Sequence, residues 1–368
     1  MVLAACGSHP AAPPTRAVKS KPPVIGSAHQ TKPWHSQGTN PYLPGDVLIA
    51  DSHNNRILLV TPQKKIVWQF PPKGQASPLV DDDDVFFGPH FDTIITNEEG
   101  YDTVAIVNFK TEKVIWQYGH PGVPGSAPGY LNTPDDAFLY DRNGGLITVA
   151  DIRNDRILFI NRATKQIVKQ YGETGVAAIN PPVAYSAPNG DFPAPNQGTL
   201  VTQINGDDAI LLNRNNQVVW TLHFPTQSQL PGMTSFPYPS DANFTPGGNV
   251  IVAFYNDPGY IVKMNPYTGQ VLWEYAVTSG SGMLNQPSLA VELKNGMVMV
   301  NDDHNDRVII INPKTNQIVW QYGHTGVPGS APGYLNIPDG MDLLPIGVVP
   351  GGSNGIGHHL WSYPGNGL

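Results

Sequence analysis

Residues 116–136 read WQYGHPGVPGSAPGYLNTPDD, and residues 320–340 read WQYGHTGVPGSAPGYLNIPDG. Three positions differ: Pro121 against Thr325, Thr133 against Ile337 and Asp136 against Gly340. A near-copy of this length marks internal repetition, which dictates architecture before any single motif is read. Matching flanks surround the copies: the turns Asp151–Arg156 and Asp302–Arg307, then an apolar strand, a turn and another strand.

Working outward, the unit reads as four short strands. Asp136–Tyr140, Leu146–Ala150, Ile157–Ile160 and Gln166–Tyr171 are rich in Val, Ile, Phe and Tyr. Turn residues separate them: Asp141–Gly145, Asp151–Arg156 and Asn161–Lys165. Such a pattern predicts an antiparallel meander. The endings of the fourth strands count the units. Trp68-Gln-Phe, Trp116-Gln-Tyr, Lys169-Gln-Tyr, Trp220-Thr-Leu, Trp273-Glu-Tyr and Trp320-Gln-Tyr follow one another at spacings of 47 to 53 residues. A lone four-stranded sheet cannot bury both faces, whereas six arranged radially can. The expected fold is therefore all-β, a six-bladed propeller of four-stranded antiparallel blades over residues 45–345.

Closure is also predicted. Gly45–Ala50 matches a second strand and lacks a first strand before it, while Ile337–Pro345 supplies a first strand with no blade after it. The C-terminal strand is expected to complete blade one and shut the ring.

Composition narrows the function classes. Charged residues are 14% of the chain and the net charge is −8, which disfavours a nucleic-acid surface. No apolar run reaches the ~20 residues that span a bilayer. The single cysteine, Cys6, excludes an intramolecular disulfide. It lies in Leu3-Ala4-Ala5-Cys6-Gly7, which resembles the lipobox of bacterial lipoproteins. Residues 1–6 are read as a truncated signal remnant with Cys6 as the lipidation site; an incidental cysteine is the alternative. Residues 7–44, rich in Pro and Ala, read as a flexible tether. Residues 346–368 read as an irregular Gly-rich tail, whose His358-His359 pair fits solvation better than metal binding, since a metal site needs three or four ligands. The expected location is outside the cytoplasm, periplasmic or cell-surface, with membrane contact only through a lipid anchor, and the chain is read as a monomer.

Pro128-Gly-Tyr-Leu-Asn-Thr-Pro134-Asp-Asp-Ala with Asp151-x-x-Asn154-x-Arg156-Ile157 resembles the NHL repeat. Asp51–Ile57 and Asp302–Val308 look the same. The fourth-strand ends Thr268–Trp273 and Thr315–Trp320 are similar to PQQ-type propeller repeats, in which the tryptophan docks on the neighbouring blade. The resemblance implies a propeller and says little about activity. Six blades rather than eight argue against binding of the quinone cofactor itself. Blades two, four and five lack the full Asp-x-x-Asn-x-Arg turn, and blade three has Lys169 in place of tryptophan. Ser240–Val252 also looks like a segment of the six-bladed bacterial arylsulfotransferases, but Ser240, Ser288, Asp135 and Asp339 stand where those enzymes carry histidine.

Candidate site residues fall in two groups. First strands open with acids, and in a propeller they line the channel. Asp84, Asp136, Asp241 and Asp339 are the candidate metal ligands, and carboxylates converging with carbonyls suit Ca²⁺; a hydrated acidic channel mouth is the alternative. The linkers carry His120, Tyr130, His324 and Tyr334, and the Asp-x-x-Asn-x-Arg turns carry His53 and His304 on the same face. Loops on one face of a rigid scaffold are where binding concentrates, although a duplicated residue more often packs its loop. The Asp-x-x-Asn-x-Arg residues themselves read as structural, because they recur. No nucleophile elbow, phosphate loop or zinc spacing is present. The expected function is a binding or scaffold module for a glycan, peptide or protein ligand. A Ca²⁺-assisted lactonase or hydrolase at the channel mouth is the alternative.

Overall fold

The computed structural model describes residues 40–230 and 237–352. Cys6, the tether up to residue 39 and His358-His359 lie outside the described residues. Six four-stranded sheets form the structure, and every strand pairs antiparallel with its neighbours. Blades two to six open on the strands Asp82–Phe87, Pro134–Leu139, Pro188–Ala194, Pro239–Phe244 and Ala290–Glu292. The described residues contain no α-helix, only short 3-10 turns at the ends of strands.

Burial follows from radial packing. Both faces of a middle strand meet other blades, so Leu146–Asp151 and Arg156–Asn161 are buried almost throughout. The outermost strand, Ile167–Tyr171, is mostly half-buried, with Val168 exposed and Tyr171 buried. Continuous apolar runs inside and weaker patterning outside are what a strand buried on two faces demands.

The ring closes as the sequence predicts. Pro338–Pro345 lies antiparallel against Gly45–Asp51, with Gly45 opposite Pro345 and Ile49 opposite Met341, and so becomes the innermost strand of blade one. The approach at Gly45 is close enough to demand glycine: a Cβ there would stand 2.3 Å from the Leu344 carbonyl oxygen. Asp136 and Gly340, one of the three differences between the copied stretches, also have a steric reason. A Cβ at Gly340 would sit 2.4 Å from the backbone of Asp84, so the closing strand cannot carry the aspartate of its twin.

A second latch joins successive blades. The indole Nε1 of Trp68 donates to the Phe109 carbonyl (2.9 Å), that of Trp116 to Arg162 (2.8 Å) and that of Trp320 to Pro62 (2.8 Å). Each acceptor follows the first residue of the turn after the next blade's third strand. The Trp320 bond crosses the closure, from blade six to blade one. In blade five, Trp273 Nε1 donates to the Asn316 side chain instead (2.7 Å).

Blade three, which departs from the pattern, keeps the contact with different chemistry. Lys169 Nζ donates to the Arg214 carbonyl at 2.6 Å, the equivalent acceptor in blade four. Its ammonium also lies 4.6 Å from the Phe159 ring centroid and 4.3 Å from that of Tyr171. The lysine stem and head thus fill the tryptophan's place. Lys169→Ala is expected to destabilise by about 1–3 kcal/mol, through the lost hydrogen bond and stem packing. Lys169→Trp should restore a wild-type urea midpoint. A Lys169→Ala midpoint equal to wild type would show that the latch carries no energy in this blade.

A third device fastens each linker as it enters a blade. One side-chain oxygen at the end of each second strand, or at its first turn, accepts a linker N–H. Asp51 accepts from Asn336, Asp151 from Asn132 and Asp302 from Asn285, each at 2.7 Å. The blades without the full turn do the same: Glu98 accepts from Val80 (2.7 Å), Gln203 from Ser186 (2.8 Å) and Asn256 from Tyr238 (3.0 Å). Where the turn is complete, Arg and Asn add to the hold. Arg307 Nε pairs with Asp302 (2.7 Å), its Nη1 and Nη2 donate to the Ser281 and Met283 carbonyls, and Asn305 donates to Met283. Arg156 and Asn154 grip Ser126 and Gly125, and Arg56 and Asn54 grip Ser330 and Gly329, in the same way. The copied stretches therefore resemble each other partly because both are held by the same clamp. Structural duty for the Asp-x-x-Asn-x-Arg residues follows directly.

Candidate functional site

The first strands do line the channel, and their acids fall in two tiers. Asp83, Asp135 and Asp339 form the outer tier, with Asp135 and Asp339 half-buried. Ser288 Oγ donates to Asp339 (2.8 Å), and Asn97 Nδ2 donates to Asp83 (2.8 Å). Glu99 joins this tier from a 3-10 turn. Burial and the charge of Asp339 push its carboxyl up to about 7, against the pull of Arg153.

Asp84, Asp136 and Asp241 form the inner tier. Each offers a carboxylate oxygen within 4.8 Å of the others. The expectation that all the candidate acids ring an open mouth needs correction here, since Asp136 is 0% exposed, Asp84 3% and Asp241 4%. The bulge that opens each first strand turns these side chains inward, into the channel. Asp339 stays in the outer tier, because the position that would reach inward in blade one is Gly340.

A floor closes the channel beneath the inner tier. Phe86 and Phe138 lie two residues beyond Asp84 and Asp136 on their strands, and Phe192 holds the same place in blade four. Their rings meet, with centroids 4.3 Å apart for Phe86 and Phe138 and 4.7 Å for Phe138 and Phe192. Each is 1% exposed. The carboxylates thus sit on an apolar, low-dielectric base. Burial, then the charge of Asp339, pushes Asp84 up to about 8, and burial pushes Asp136 and Asp241 up well beyond the usual carboxylate range.

Two tyrosines complete the surroundings, and sequence reasoning missed both. Tyr238 and Tyr255 are half-buried, 5.6 Å apart by ring centroid, and Tyr255 meets His304 edge-on at 6.1 Å. Burial raises both hydroxyls far above the ordinary value, helped by the charges of Asp135, Glu99, Asp339 and Asp241 at Tyr238 and of Asp303, Asp339 and Asp83 at Tyr255. They come from strand ends and linkers that do not repeat, so no periodic signal marks them.

The loop-face candidates do not converge on one point. The His120 and Tyr130 rings meet at a tilt, 4.1 Å between centroids, within the first copied loop, and His324 and Tyr334 do the same at 4.2 Å within the second. The first pair stands between blades two and three, the second between blades six and one. His53 and His304 sit on the 3-10 turns of blades one and six, both exposed, and His53 Nε2 is 4.0 Å from Asp81. The backbone N–H groups of His53 and His304 donate to the linker carbonyls of Asn336 and Asn285. All six residues thus lie at linker junctions. His120 also borders an open groove of about 520 Å³, walled by Gln117 and Pro128 on one side and by Lys165, Gln166 and Ile167 of blade three on the other.

Comparison with known proteins supports the architecture. Residues 205–334 match the family model described as outer membrane protein assembly factor BamB, of the PQQ-type repeats. This stretch carries a PQQ-type propeller repeat. No curated protein matches the chain. Among solved structures, a protein of unknown function from Bacteroides caccae aligns over 81% of this chain and 98% of its own, with a TM-score of 0.54 and 16% identity. At that identity the likeness shows the fold alone. Virginiamycin B lyase from Staphylococcus aureus aligns over 66% of this chain and 69% of its own, at a TM-score of 0.42 and 14% identity. No helix among the described residues is long and apolar enough to cross a membrane.

Proposed function

We propose that this propeller is a binding scaffold outside the cytoplasm, tethered through a lipid on Cys6, and that its linker face receives a polypeptide partner. The observation that carries this reading is the groove beside His120, which two blades wall and a clamped linker borders. A surface of this kind is preformed, so a partner loses little affinity to ordering it. The tilted His120–Tyr130 and His324–Tyr334 pairs present aromatic and hydrogen-bonding edges together, which suits peptide recognition. The match of residues 205–334 to an assembly-factor family supports a protein rather than a small-molecule partner. The inner carboxylates are too deeply buried to meet a substrate directly, which weighs against the hydrolase alternative.

The test is parallel screening on peptide and glycan arrays. Peptide binding is expected for the wild type and should fall at least tenfold in a His120→Ala/Tyr130→Ala/His324→Ala/Tyr334→Ala variant whose melting temperature is checked alongside. Binding to glycans alone would overturn the choice of a polypeptide, and silence on both arrays would end the scaffold reading.

A further inference from the structure

The inner tier has no cationic side chain beside it. One oxygen each of Asp84 and Asp136 is buried without a hydrogen-bond donor. Asp191 of blade four, 0% exposed, stands next to the trio: its backbone N–H donates to Asp136 Oδ2 (3.3 Å), while its own carboxyl faces Thr148. Blades two, three and five thus each send one carboxylate into the same enclosed space, above the phenylalanine floor. Burial and neighbouring carboxylates act on these groups with no contribution from lysine or arginine.

Such an arrangement is unstable as three bare anions. Burying one unpaired carboxylate is already prohibitive, and neighbours of like charge add to it. A native fold neutralises buried carboxylates with protons or with a cation. Protons could bridge Asp136 to Asp84 and to Asp241, whereas a cation satisfies all three carboxylates at once. All the ligating atoms are oxygens, which selects a hard ion over zinc or copper. Mg²⁺ holds its waters and demands an octahedron, while Ca²⁺ accepts a larger, irregular cage of carboxylates and carbonyls.

We propose that Asp84, Asp136 and Asp241 bind one Ca²⁺ ion inside the channel, and that this ion ties blades two, three and five together from within. Its role is structural, so it stands or falls separately from the linker-face reading.

Metal analysis of the full purified chain after dialysis against CaCl₂ and then metal-free buffer tests the assignment, together with native mass spectrometry. One Ca²⁺ per chain is expected. The melting temperature should rise by about 5 °C or more between chelator and saturating Ca²⁺. Asp136→Asn and Asp241→Asn should lose both the ion and the shift. Asp207→Asn should keep both, since it alters the separate exposed grouping of Asp207, Asp208 and His223. If the Asn variants do not fold, the wild-type stoichiometry and Ca²⁺ shift decide alone. A wild type that binds no divalent ion overturns the proposal. So does an ion lost from Asp207→Asn but retained by Asp136→Asn, or a shift given by Mg²⁺ and not by Ca²⁺. Asn variants that melt higher than wild type in Ca²⁺ would show that protons neutralise the cluster instead.

Discussion

A chain ending at Ile337 will fail to form a stable propeller. The truncation removes the innermost strand of blade one and leaves Gly45–Asp51 with a bare hydrogen-bonding edge in the middle of the fold. Met341, Leu343 and Leu344 are buried in the intact protein. Losing them forfeits about 1.5–3 kcal/mol each. Together with the unpaired ladder, that consumes most of the ~5–15 kcal/mol by which a folded domain is stable. Thermal unfolding followed by circular dichroism should show a midpoint lowered by at least 15 °C or no cooperative transition. A permuted chain with residues 338–345 placed ahead of Gly45 through a short linker should recover the wild-type transition. An unchanged melt of the truncated chain would rule out closure through this strand.

Removing one half of a buried clamp is the next largest effect. Arg307 is 1% exposed and its partner Asp302 is fully buried. Asp302→Ala leaves that guanidinium enclosed with neutral partners only, the Ser281 and Met283 carbonyls and the Gln321 and Thr325 side chains, and breaks the bond to the Asn285 N–H. Loss of one partner from a buried ion pair costs about 3–5 kcal/mol. Asp51→Ala should cost less, because Arg56 is 12% exposed and can turn toward water. Urea midpoints of the two variants, compared with wild type, test both the size and the order. Equal, small losses would mean that the linkers are held by packing rather than by the clamps.

Much of this fold was legible because its evidence is periodic. The fourth-strand endings count the blades, and the orphan strands at the two ends imply closure. The clamp was legible only in part. Its essential feature is a side-chain oxygen at one place, and Asp51, Glu98, Asp151, Gln203, Asn256 and Asp302 all provide one. A pattern written in residue identities sees three of them. The channel shows the same limit. Asp84 and Asp136 stand out as consecutive acids, but Asp191 follows Asn189-Gly190 and sits one place later in its strand, so it breaks the pattern and stands beside the cluster with its carboxyl toward Thr148. Glu99, Tyr238 and Tyr255 come from turns and linkers, where no repeat can point to them. Lys169 is the opposite case: its residue type breaks the motif and its contact restores it.

The closing strand also orders events in time. During synthesis Gly45–Asp51 emerges early, but the strand that covers its inner edge comes almost three hundred residues later. At about 5–20 residues per second, the nascent chain carries that open edge for ~15–60 s. Over that interval blades two to five can assemble pairwise, while blade one remains a template for any other strand. An energetic seal at the seam is therefore also a delay, and a chain crossing a membrane before its last strand is made would arrive still unclosed.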